Sequence, residues 1–336
     1  MKPAGAAKIV AVVCAVVGIA ALTGADAVAE TQGRRAPRLA PTSISVSGFP
    51  AIVATGYGSV WVGGHRNGVL YRIDPKTDRI TGKVALPGPI NGTLTIGGGA
   101  VWAQSAAPDG SDSYVYRINP FTMRIVERHE GITSVFGAGS WWFGSLQPTS
   151  LLRVKPNAGT ILARITRFGV DPNRVNIPIA FGRGSIWVYS PDDAVIRISG
   201  ATNRVTAVIP LPGATRAHAI TNGYLTGGPA AIVGGYVWVV SPAGLYRIDP
   251  QSNAAELLPL TVTPFSQWGL PSVSSGPRGT LFMRTSDRVV TQIDPSSGAA
   301  LRTYPASGGG GQTAVGFGSL WIANALANSI SRIALQ

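Results

Sequence analysis

From residue 42 onward, short apolar or β-branched runs alternate with turns rich in Gly, Pro and Asp. This pattern is typical of an all-β protein, and no stretch after residue 30 keeps the period of a helix. The first unit divides into four strands at 51–55, 59–62, 68–74 and 79–86, separated by turns. We therefore expect four-stranded antiparallel sheets.

One phrase repeats along the chain: Gly-x-Gly-Ser, a hydrophobic residue, an aromatic residue and another hydrophobic residue. It recurs about every forty residues and is followed about ten residues later by Arg-Ile-Asp-Pro or a variant of it. Copies near forty residues with four strands each indicate propeller blades. The sequence therefore predicts a seven-bladed β-propeller over residues 42–336, with four antiparallel strands per blade. The repeated aromatic residues are Trp61, Trp102, Trp142, Trp187, Trp238, Phe282 and Trp321.

The seventh copy has room for only three strands, at 313–316, 320–324 and 329–334. At the other end of the chain, segment 44–50 has the pattern of an outer strand that leads into the first blade. An N-terminal strand that completes the last blade would close the ring without a free edge. We expect this closure.

The repeated residues are expected to be structural. The aromatic residues have the size needed to fill the space between neighbouring sheets, and Asp74, Asp249 and Asp294 stand before proline at the first position of a turn. The Gly-x-Gly pairs precede strands rather than helices, which favours hairpin turns over phosphate binding. Trp141 and Trp268 lie outside the repeat and are not explained by it.

The first 29 residues have the pattern of an export signal. Lys2 and Lys8 precede an apolar run at 9–22, and Ala-Val-Ala at 27–29 is a cleavage site. We expect cleavage after Ala29, with an uncleaved anchor as the alternative, and a polar linker at 30–41. The sequence thus predicts an exported protein, secreted or associated with the cell envelope, with no stable membrane span after cleavage.

The chain is basic, with a formal net charge of +13. Without Lys2, Lys8 and Asp26, the 28 basic and 15 acidic residues become 26 and 14, a net charge of +12. A basic surface favours anionic partners, but the Arg residues are scattered and no basic tract with interleaved aromatics argues for nucleic acid. The single cysteine, Cys14, lies in the signal segment, which excludes a disulfide framework or a Cys-ligated metal from the mature chain.

Antiparallel blades place the loop between the second and third strands and the connection to the next blade at one end, which we call the long-loop face. All the long insertions fall in these connections, at 104–113, 167–177, 213–229, 261–271 and 306–312. Long loops on a rigid scaffold are where binding residues concentrate, so we expect the site there. The opposite end, which we call the tight-turn face, carries only short turns.

Cationic and aromatic side chains on the long-loop face are the candidate ligand-binding residues, and they suit a small polar or anionic ligand. They are Arg66, Arg167, Arg216, Tyr224, Phe265 and Trp268, with Phe168 expected nearby. A rival interpretation has Phe265 and Trp268 folding down to plug the channel mouth. His65, His218 and Asp109 are candidate metal ligands, whereas His129 is expected to be exposed and inert on an outer strand.

The repeats at 56–62 (Gly-Tyr-Gly-Ser-Val-Trp-Val) and 71–75 (Tyr-Arg-Ile-Asp-Pro) carry a family resemblance. Through them the whole mature chain resembles the seven-bladed propellers of the streptogramin (virginiamycin B) lyase-like superfamily and the related YVTN-type secreted propellers. The resemblance implies a fold rather than an activity. The lyase opens a cyclic depsipeptide with a divalent metal and His and Glu side chains. On this chain, that alternative would use His65 and His218, with Asp109 replacing the Glu.

The main hypothesis from the sequence is an exported, non-catalytic propeller that binds a ligand or a protein partner on its long-loop face. It would act as an envelope sensor, scaffold or scavenger, as a monomer and without a cofactor. A metal-dependent lyase acting on a cyclic peptide ester is the alternative, and it would require a divalent metal. An anionic cell-envelope polymer is a further candidate partner.

Overall fold

A computed structural model of the chain describes residues 40–107, 113–146, 149–156, 158–170, 177–190, 193–213, 220–221, 224–225, 230–241, 243–260 and 272–335. The chain divides into two units, Met1–Arg38 and Leu39–Gln336, and the described residues belong to the second. The expected signal segment 1–29 and most of the expected linker 30–41 lie outside them. Within the described ranges, no helix is long and apolar enough to cross a membrane.

The described strands form seven four-stranded antiparallel sheets, the blades of a β-propeller, which confirms the predicted fold class. The chain begins with β1 (Thr42–Ser45). Blades 1 to 3 are β2–β5 (Pro50–Gly56, Ser59–Gly64, Val69–Asp74, Arg79–Ala85), β6–β9 (Ile90–Gly97, Ala100–Ala106, Ser113–Ile118, Ile125–Glu130) and β10–β13 (Ile132–Gly137, Ser140–Leu146, Thr149–Val154, Ile161–Ile165). Blade 4 is β14–β17 (Ile177–Gly182, Ser185–Ser190, Ala194–Ser199, Val205–Pro210).

The second half continues this plan. A small hairpin, β18 (Ile220–Thr221) and β19 (Tyr224–Leu225), stands between blades 4 and 5 in the chain. Blades 5 and 6 are β20–β23 (Ala230–Val233, Tyr236–Ser241, Gly244–Asp249, Ala254–Leu257) and β24–β27 (Val273–Ser275, Leu281–Ser286, Val289–Ile293, Ala300–Pro305). A 3-10 turn at Pro277–Gly279 joins β24 to β25. Blade 7 contains β28–β30 (Thr313–Gly316, Ser319–Asn324, Ser329–Ala334).

The strand β1 supplies the outer edge of blade 7, as the sequence predicts. It pairs antiparallel with β30, with Thr42 opposite Arg332 and Ile44 opposite Ile330. The Val46 amide continues the ladder by donating to the Asn328 carbonyl at 2.9 Å. The strand ends at Ser45, earlier than the predicted segment 44–50, because Pro50 already begins the inner strand of blade 1. Both ends of the propeller domain therefore meet in one sheet, and this closes the ring.

The repeated aromatic residues fill the spaces between blades, as predicted. Each is at most 1% exposed, and each packs against the next blade around the ring. Trp61, for example, lies in one cluster with Val101 and Ala103 of blade 2. Five of the indoles also donate a hydrogen bond of 3.0 to 3.2 Å to the carbonyl five residues earlier, which ties the side chain to its own hairpin. These aromatic residues are therefore part of the core and are not available for ligand stacking.

The repeated arginines join neighbouring blades. Each stands directly across the ladder from the repeated tryptophan of its own blade, as Arg197 does from Trp187, and the guanidinium groups of Arg153, Arg197 and Arg332 lie over that indole. Five of the guanidinium groups donate to the turn between the third and fourth strands of the next blade. The bonds are Arg72 to the Pro120 carbonyl (3.1 Å), Arg153 to Asn203 Oδ1 (2.8 Å), Arg197 to the Pro250 carbonyl (2.6 Å), Arg247 to the Ser296 carbonyl (2.7 Å) and Arg332 to Asp78 Oδ1 (2.9 Å). Part of the basic charge is therefore structural.

Three of the turns that receive these arginines, in blades 1, 5 and 6, are built around the repeated Asp residues. Asp74, Asp249 and Asp294 each accept the amide hydrogen of the residue two positions later at 2.8 Å. Hydrogen bonds from backbone amides, and from serine hydroxyls at Asp249 and Asp294, hold the pKa of these carboxyls below the usual value. The predicted turn role is confirmed for all three.

Blade 6 departs from the repeat because blade 7 has no turn between its third and fourth strands. Since the fourth strand of blade 7 is β1, no turn carbonyl stands where an arginine of blade 6 would reach, and Gln292 occupies that position. Arg284 joins the same two blades at the opposite end. Its fully buried guanidinium donates to the carbonyls of Ala323 (2.6 Å) and Gly311 (3.3 Å) in the seventh repeat, and to those of Ser286 and Asp287.

Candidate functional site

The order of strands confirms that the two ends of the propeller differ. On the tight-turn face, the first and second strands are joined by two residues in six of the seven blades. The outer strands that end at Ile165, Pro210 and Leu257, and the inner strands that begin at Ile177, Ala230 and Val273, meet the opposite end, the long-loop face. The three longest connections of the sequence therefore start and finish at this face.

Two of the predicted site residues, His65 and Arg66, lie side by side between β3 and β4. His65 is half-buried, and its Nδ1 is 3.2 Å from the Ile90 carbonyl oxygen. Arg66 is exposed, and its guanidinium carbon lies 4.7 Å from the centre of the Phe49 ring. Phe49 also lies 6.0 Å from the imidazole of His65. The structure thus places one cationic and one imidazole group together at the rim of blade 1.

Arg167 is exposed in the connection that follows β13, as predicted, but its neighbour is not. Phe168, expected on the same surface, is 2% exposed and packs with Trp142, Leu151 and Ile165 in the core between blades 3 and 4. The apolar ring is more stable in this space than in water. The remaining candidates, Asp109, Arg216, His218, Phe265 and Trp268, lie outside the described residues, as does the side chain of Tyr224 in β19.

His129 is neither exposed nor isolated, contrary to the sequence-based expectation. Its side chain is 17% exposed, its Nε2 lies 2.7 Å from Glu127 Oε1, and its ring stacks on Phe143 of blade 3. Glu127 also lies 3.9 Å from the Arg117 guanidinium. Glu127 and His129 have Glu-x-His spacing, a signal that the sequence interpretation missed. The pair lies on the outer strand β9, away from the long-loop face.

The aromatic residues packed between blades 2 and 3 explain why His129 is partly buried and stacked. Trp141, which the repeat left unexplained, occupies a position filled by Val, Ile or Leu in the other blades, and it faces Trp102 at 4.9 Å. Both indoles are buried, and neither indole N–H has a hydrogen-bond partner among the described residues. Trp102 thus lacks the indole bond found in five other blades, and the additional ring of Trp141 packs against it. Trp141 is therefore a core residue.

No group of three or more His, Cys, Asp or Glu side chains within metal-binding reach is present among the described residues. Glu127 and His129 form only a pair. His65 has neither His218 nor Asp109 described beside it, so the proposed metal set stays a prediction.

A cavity of about 280 Å³ occupies the central channel. Inner strands from blades 1 to 5 and blade 7 line it. Most of the lining residues are apolar, such as Val53, Leu94 and Phe136, but polar atoms form as much of the exposed wall as apolar atoms do. The lining reaches the long-loop end at Ala230, Gln312 and Thr313, where inner strands start. The described lining carries no charged side chain. The channel can therefore receive an apolar group and present amide and hydroxyl groups at its mouth.

A hydrogen-bonded rim surrounds part of this mouth. Gln312 donates through Nε2 to the Gly92 carbonyl of blade 2 at 3.0 Å and through its backbone amide to the Ala51 carbonyl of blade 1 at 2.8 Å. Thr313 donates its amide to Ser272 Oγ at 3.1 Å. These bonds connect blades 6, 7, 1 and 2 directly at the long-loop end. The sequence interpretation placed Gln312 in an insertion and did not predict its contact with blade 2, which is 220 residues away.

Comparison with known proteins supports the fold. No protein-family model matches the chain, and no curated protein matches it. Among solved structures, BamB from Moraxella catarrhalis is similar with a TM-score of 0.55 and 12% identity, covering 85% of this chain and 83% of that one. Hydrazine synthase from Kuenenia stuttgartiensis is similar with a TM-score of 0.60 and 12% identity, covering 85% of this chain and 96% of that one. At such low identity the likeness concerns the fold alone.

Proposed function

We propose that this chain is an exported, non-catalytic propeller that binds a ligand or a protein partner at the long-loop face. The central cavity is the observation that carries the proposal. It is a preformed concavity lined mostly by apolar residues, with polar atoms exposed on its wall and at its mouth, and small-molecule sites combine the same two kinds of group. A binding or scaffold role follows from this shape, because the residues of the repeat are already used in packing the blades.

The chemistry around the mouth favours a ligand with an apolar part and an anionic or polar part. The apolar part would enter the channel against Val53 and Leu94. The exposed guanidinium groups of Arg66 and Arg167 would attract the anionic part. Arg216, Tyr224, Phe265 and Trp268 remain proposed ligand-binding residues on the same face, supported by their positions in the long connections.

The proposal includes kinship with the streptogramin lyase-like propellers. Its support is the repeat itself, since the Gly-x-Gly-Ser and Arg-Ile-Asp-Pro phrases coincide with the hairpins and interblade contacts of this ring. In this proposal the protein works at the cell envelope or outside the cell, as a monomer. Anionic envelope polymers are candidate partners because the chain is strongly basic.

The cavity is tested with anilinonaphthalene sulfonate, an anionic aromatic probe whose fluorescence rises in apolar sites. Ala180 lines the cavity, so Ala180→Leu should fill part of it and reduce saturable probe binding about tenfold. Ala85→Leu is the matched control, because Ala85 is exposed on the outer strand β5. Equal probe binding by the two variants, with both folded by circular dichroism, would show that the cavity is not a binding site.

The charged part of the site is tested with the same probe. Arg66→Gln should weaken binding about threefold or more at low salt, whereas Arg302→Gln on the outer strand β27 should leave it unchanged. A metal titration separates the alternative lyase function. Stoichiometric binding of a divalent metal that is lost in His218→Ala would overturn the non-catalytic assignment, and metal binding that is absent or unaffected by this change would support it.

A further inference from the structure

A ring of seven residues surrounds the channel on the tight-turn face. Each is the first of two residues with positive φ in the turn between the first and second strands of one blade; its φ lies between 49° and 62°, and a glycine follows it. We call these residues the turn-tip ring. They are Tyr57, Gly98, Ala138, Arg183, Gly234, Arg278 and Phe317.

The composition of the turn-tip ring is not what the turn requires. A left-handed position favours glycine, and bulky side chains there strain the backbone. Gly98 and Gly234 show that this propeller can use glycine in the same place. Four blades instead hold an aromatic residue or an arginine. Tyr57 serves the fold, because its hydroxyl accepts the Gly99 amide hydrogen of the next blade at 2.8 Å. For the exposed side chains of Arg183, Arg278 and Phe317 the left-handed turn itself gives no reason, and this points to a role outside the fold.

The ring extends outward through the neighbouring turns. Phe121, in the outer turn of blade 2, is 73% exposed, and its ring lies 6.1 Å from that of Tyr57. Phe317, in the adjacent blade 7, is 45% exposed. Aromatic rings of blades 7, 1 and 2 therefore form one sector of the tight-turn face. This sector leaves substantial apolar area in water.

The rest of this face is basic. Arg124, Lys155 and Arg183 are exposed on blades 2, 3 and 4, and the turns of these blades contain no acidic residue. The described carboxylates of this face lie in the outer turns of blades 1, 5 and 6, where they accept hydrogen bonds from backbone amides or from Arg332. The Glu127 carboxylate also reaches the outer turn of blade 3 beside Gly159, where it pairs with His129 and Arg117. Aromatic side chains thus stand beside an arc in which exposed cations predominate.

We propose that the tight-turn face docks on an anionic lipid surface, with Phe121 and Phe317 entering the headgroup region and Arg183 and Arg278 contacting lipid phosphates. Exposed aromatics combined with Lys and Arg are the residues that bind this interface. The apolar groups form one sector and the cationic groups lie beside it, and they are not arranged as an apolar centre within a polar rim, which is the arrangement of protein interfaces. A bilayer surface can contact both parts at once, and its negative charge complements the cationic arc.

Sedimentation with lipid vesicles tests this proposal on the full chain. The wild type should bind vesicles of phosphatidylcholine and phosphatidylglycerol more tightly than vesicles of phosphatidylcholine alone, and added salt should weaken that binding. The double variant Phe121→Ser, Phe317→Gly should lose at least about tenfold in partitioning, and Arg183→Gln and Arg278→Gln about fivefold each. All variants share residues 1–39, so differences in vesicle binding between them arise from the substituted residues of the tight-turn face.

Two controls match these changes. Leu326→Ser removes a side chain that is 53% exposed, like the phenylalanines, but lies on the long-loop face, and Arg302→Gln removes a cation from an outer strand. Both should stay within about twofold of the wild type. Phe317→Gly also separates binding from folding. Glycine suits the left-handed turn, so vesicle binding should fall while the thermal midpoint stays equal or rises.

Several results would overturn the proposal. One is equal partitioning of the aromatic double variant and Leu326→Ser. Another is a soluble anionic polymer that competes fully with vesicles for the protein and binds the aromatic variant as tightly as the wild type. This result would make the face a polymer site. A third is a dimer in light scattering that dissociates in the aromatic variant, which would make the ring an interface between copies of the chain.

Discussion

Replacing Ile44 with alanine weakens the strand that closes the ring. Ile44 is 7% exposed on β1 and packs in one cluster with side chains of blade 1 and blade 7, among them Val60, Trp321 and Ile330. The truncated side chain would leave a cavity between the first and last blades. Stability should therefore fall, even though β1 contains only four residues.

The size of the effect follows from the burial. Ile to Ala in a core costs about 2–5 kcal/mol, and β1 is an outer strand that can relax into the cavity, so we expect about 2–3 kcal/mol. For a propeller of this size, that corresponds to a fall of roughly 3–5 °C in the thermal midpoint. Removing 42–49 deletes the buried side chains of Ile44, Val46 and Phe49, at about 1.5–3 kcal/mol each. The sum approaches the whole stability of a typical domain, about 5–15 kcal/mol.

Urea and thermal unfolding, followed by circular dichroism and tryptophan fluorescence, measure this loss. The matched control is Ile161→Ala, the same change on an outer strand, β13, where the side chain is 49% exposed. The control should change the free energy of unfolding by less than about 0.5 kcal/mol. If Ile44→Ala costs no more than Ile161→Ala, or if the chain without 42–49 unfolds at the wild-type temperature, then β1 does not hold the ring together.

Three further changes probe the joints between blades. Arg197→Gln should cost about 1–2 kcal/mol in urea unfolding, because it removes the bond to the Pro250 carbonyl, whereas Arg302→Gln should stay within about 0.5 kcal/mol; equal losses would refute the interblade role. Arg284→Leu should cost about 3 kcal/mol or more, since it removes the donor of two buried carbonyls, Gly311 and Ala323, and of two part-buried ones, and a loss under about 1 kcal/mol would contradict this. Asp249→Asn tests a pH dependence: because the folded pKa of Asp249 is lowered, its carboxylate stabilises the fold above the ordinary pKa of 3.8, and this effect is lost as the pH falls through the folded pKa. The variant should therefore be less stable than the wild type at neutral pH and equally stable in acid. An equal difference between their urea midpoints at both pH values would contradict this.

The candidate site was only partly predictable from the sequence. The sequence indicates which connections are long and at which end of the ring they emerge, and this identified His65, Arg66 and Arg167 as residues of the long-loop face. It could not show that Phe168, one residue after an exposed arginine, turns into the core. Nor could it locate the cavity, because the lining comes from six blades and depends on how their inner strands converge.

His129 and Trp141 show the same limit. The neighbouring blade sets the surroundings of both residues. The local sequence pattern therefore predicted that His129 is exposed, whereas in the structure it pairs with Glu127 and stacks on Phe143. The turn-tip ring is a further case. Gly-Tyr-Gly and Gly-Phe-Gly look like ordinary hairpin turns in the sequence, and only the closed ring places their aromatic residues on one surface with Arg183 and Arg278.

The sequence alone determined the number of blades, the strand order within each blade, the closure by an N-terminal strand and the structural role of the repeated Trp and Asp residues. These features are periodic or local, so they can be read from spacing and from turn chemistry. Tertiary structure decided the contacts between blades: the arginine bonds to the next turn, the buried Arg284 where blade 7 lacks that turn, and the link from Gln312 to Gly92. These contacts join residues far apart in the chain, and their geometry exists only once the ring has closed.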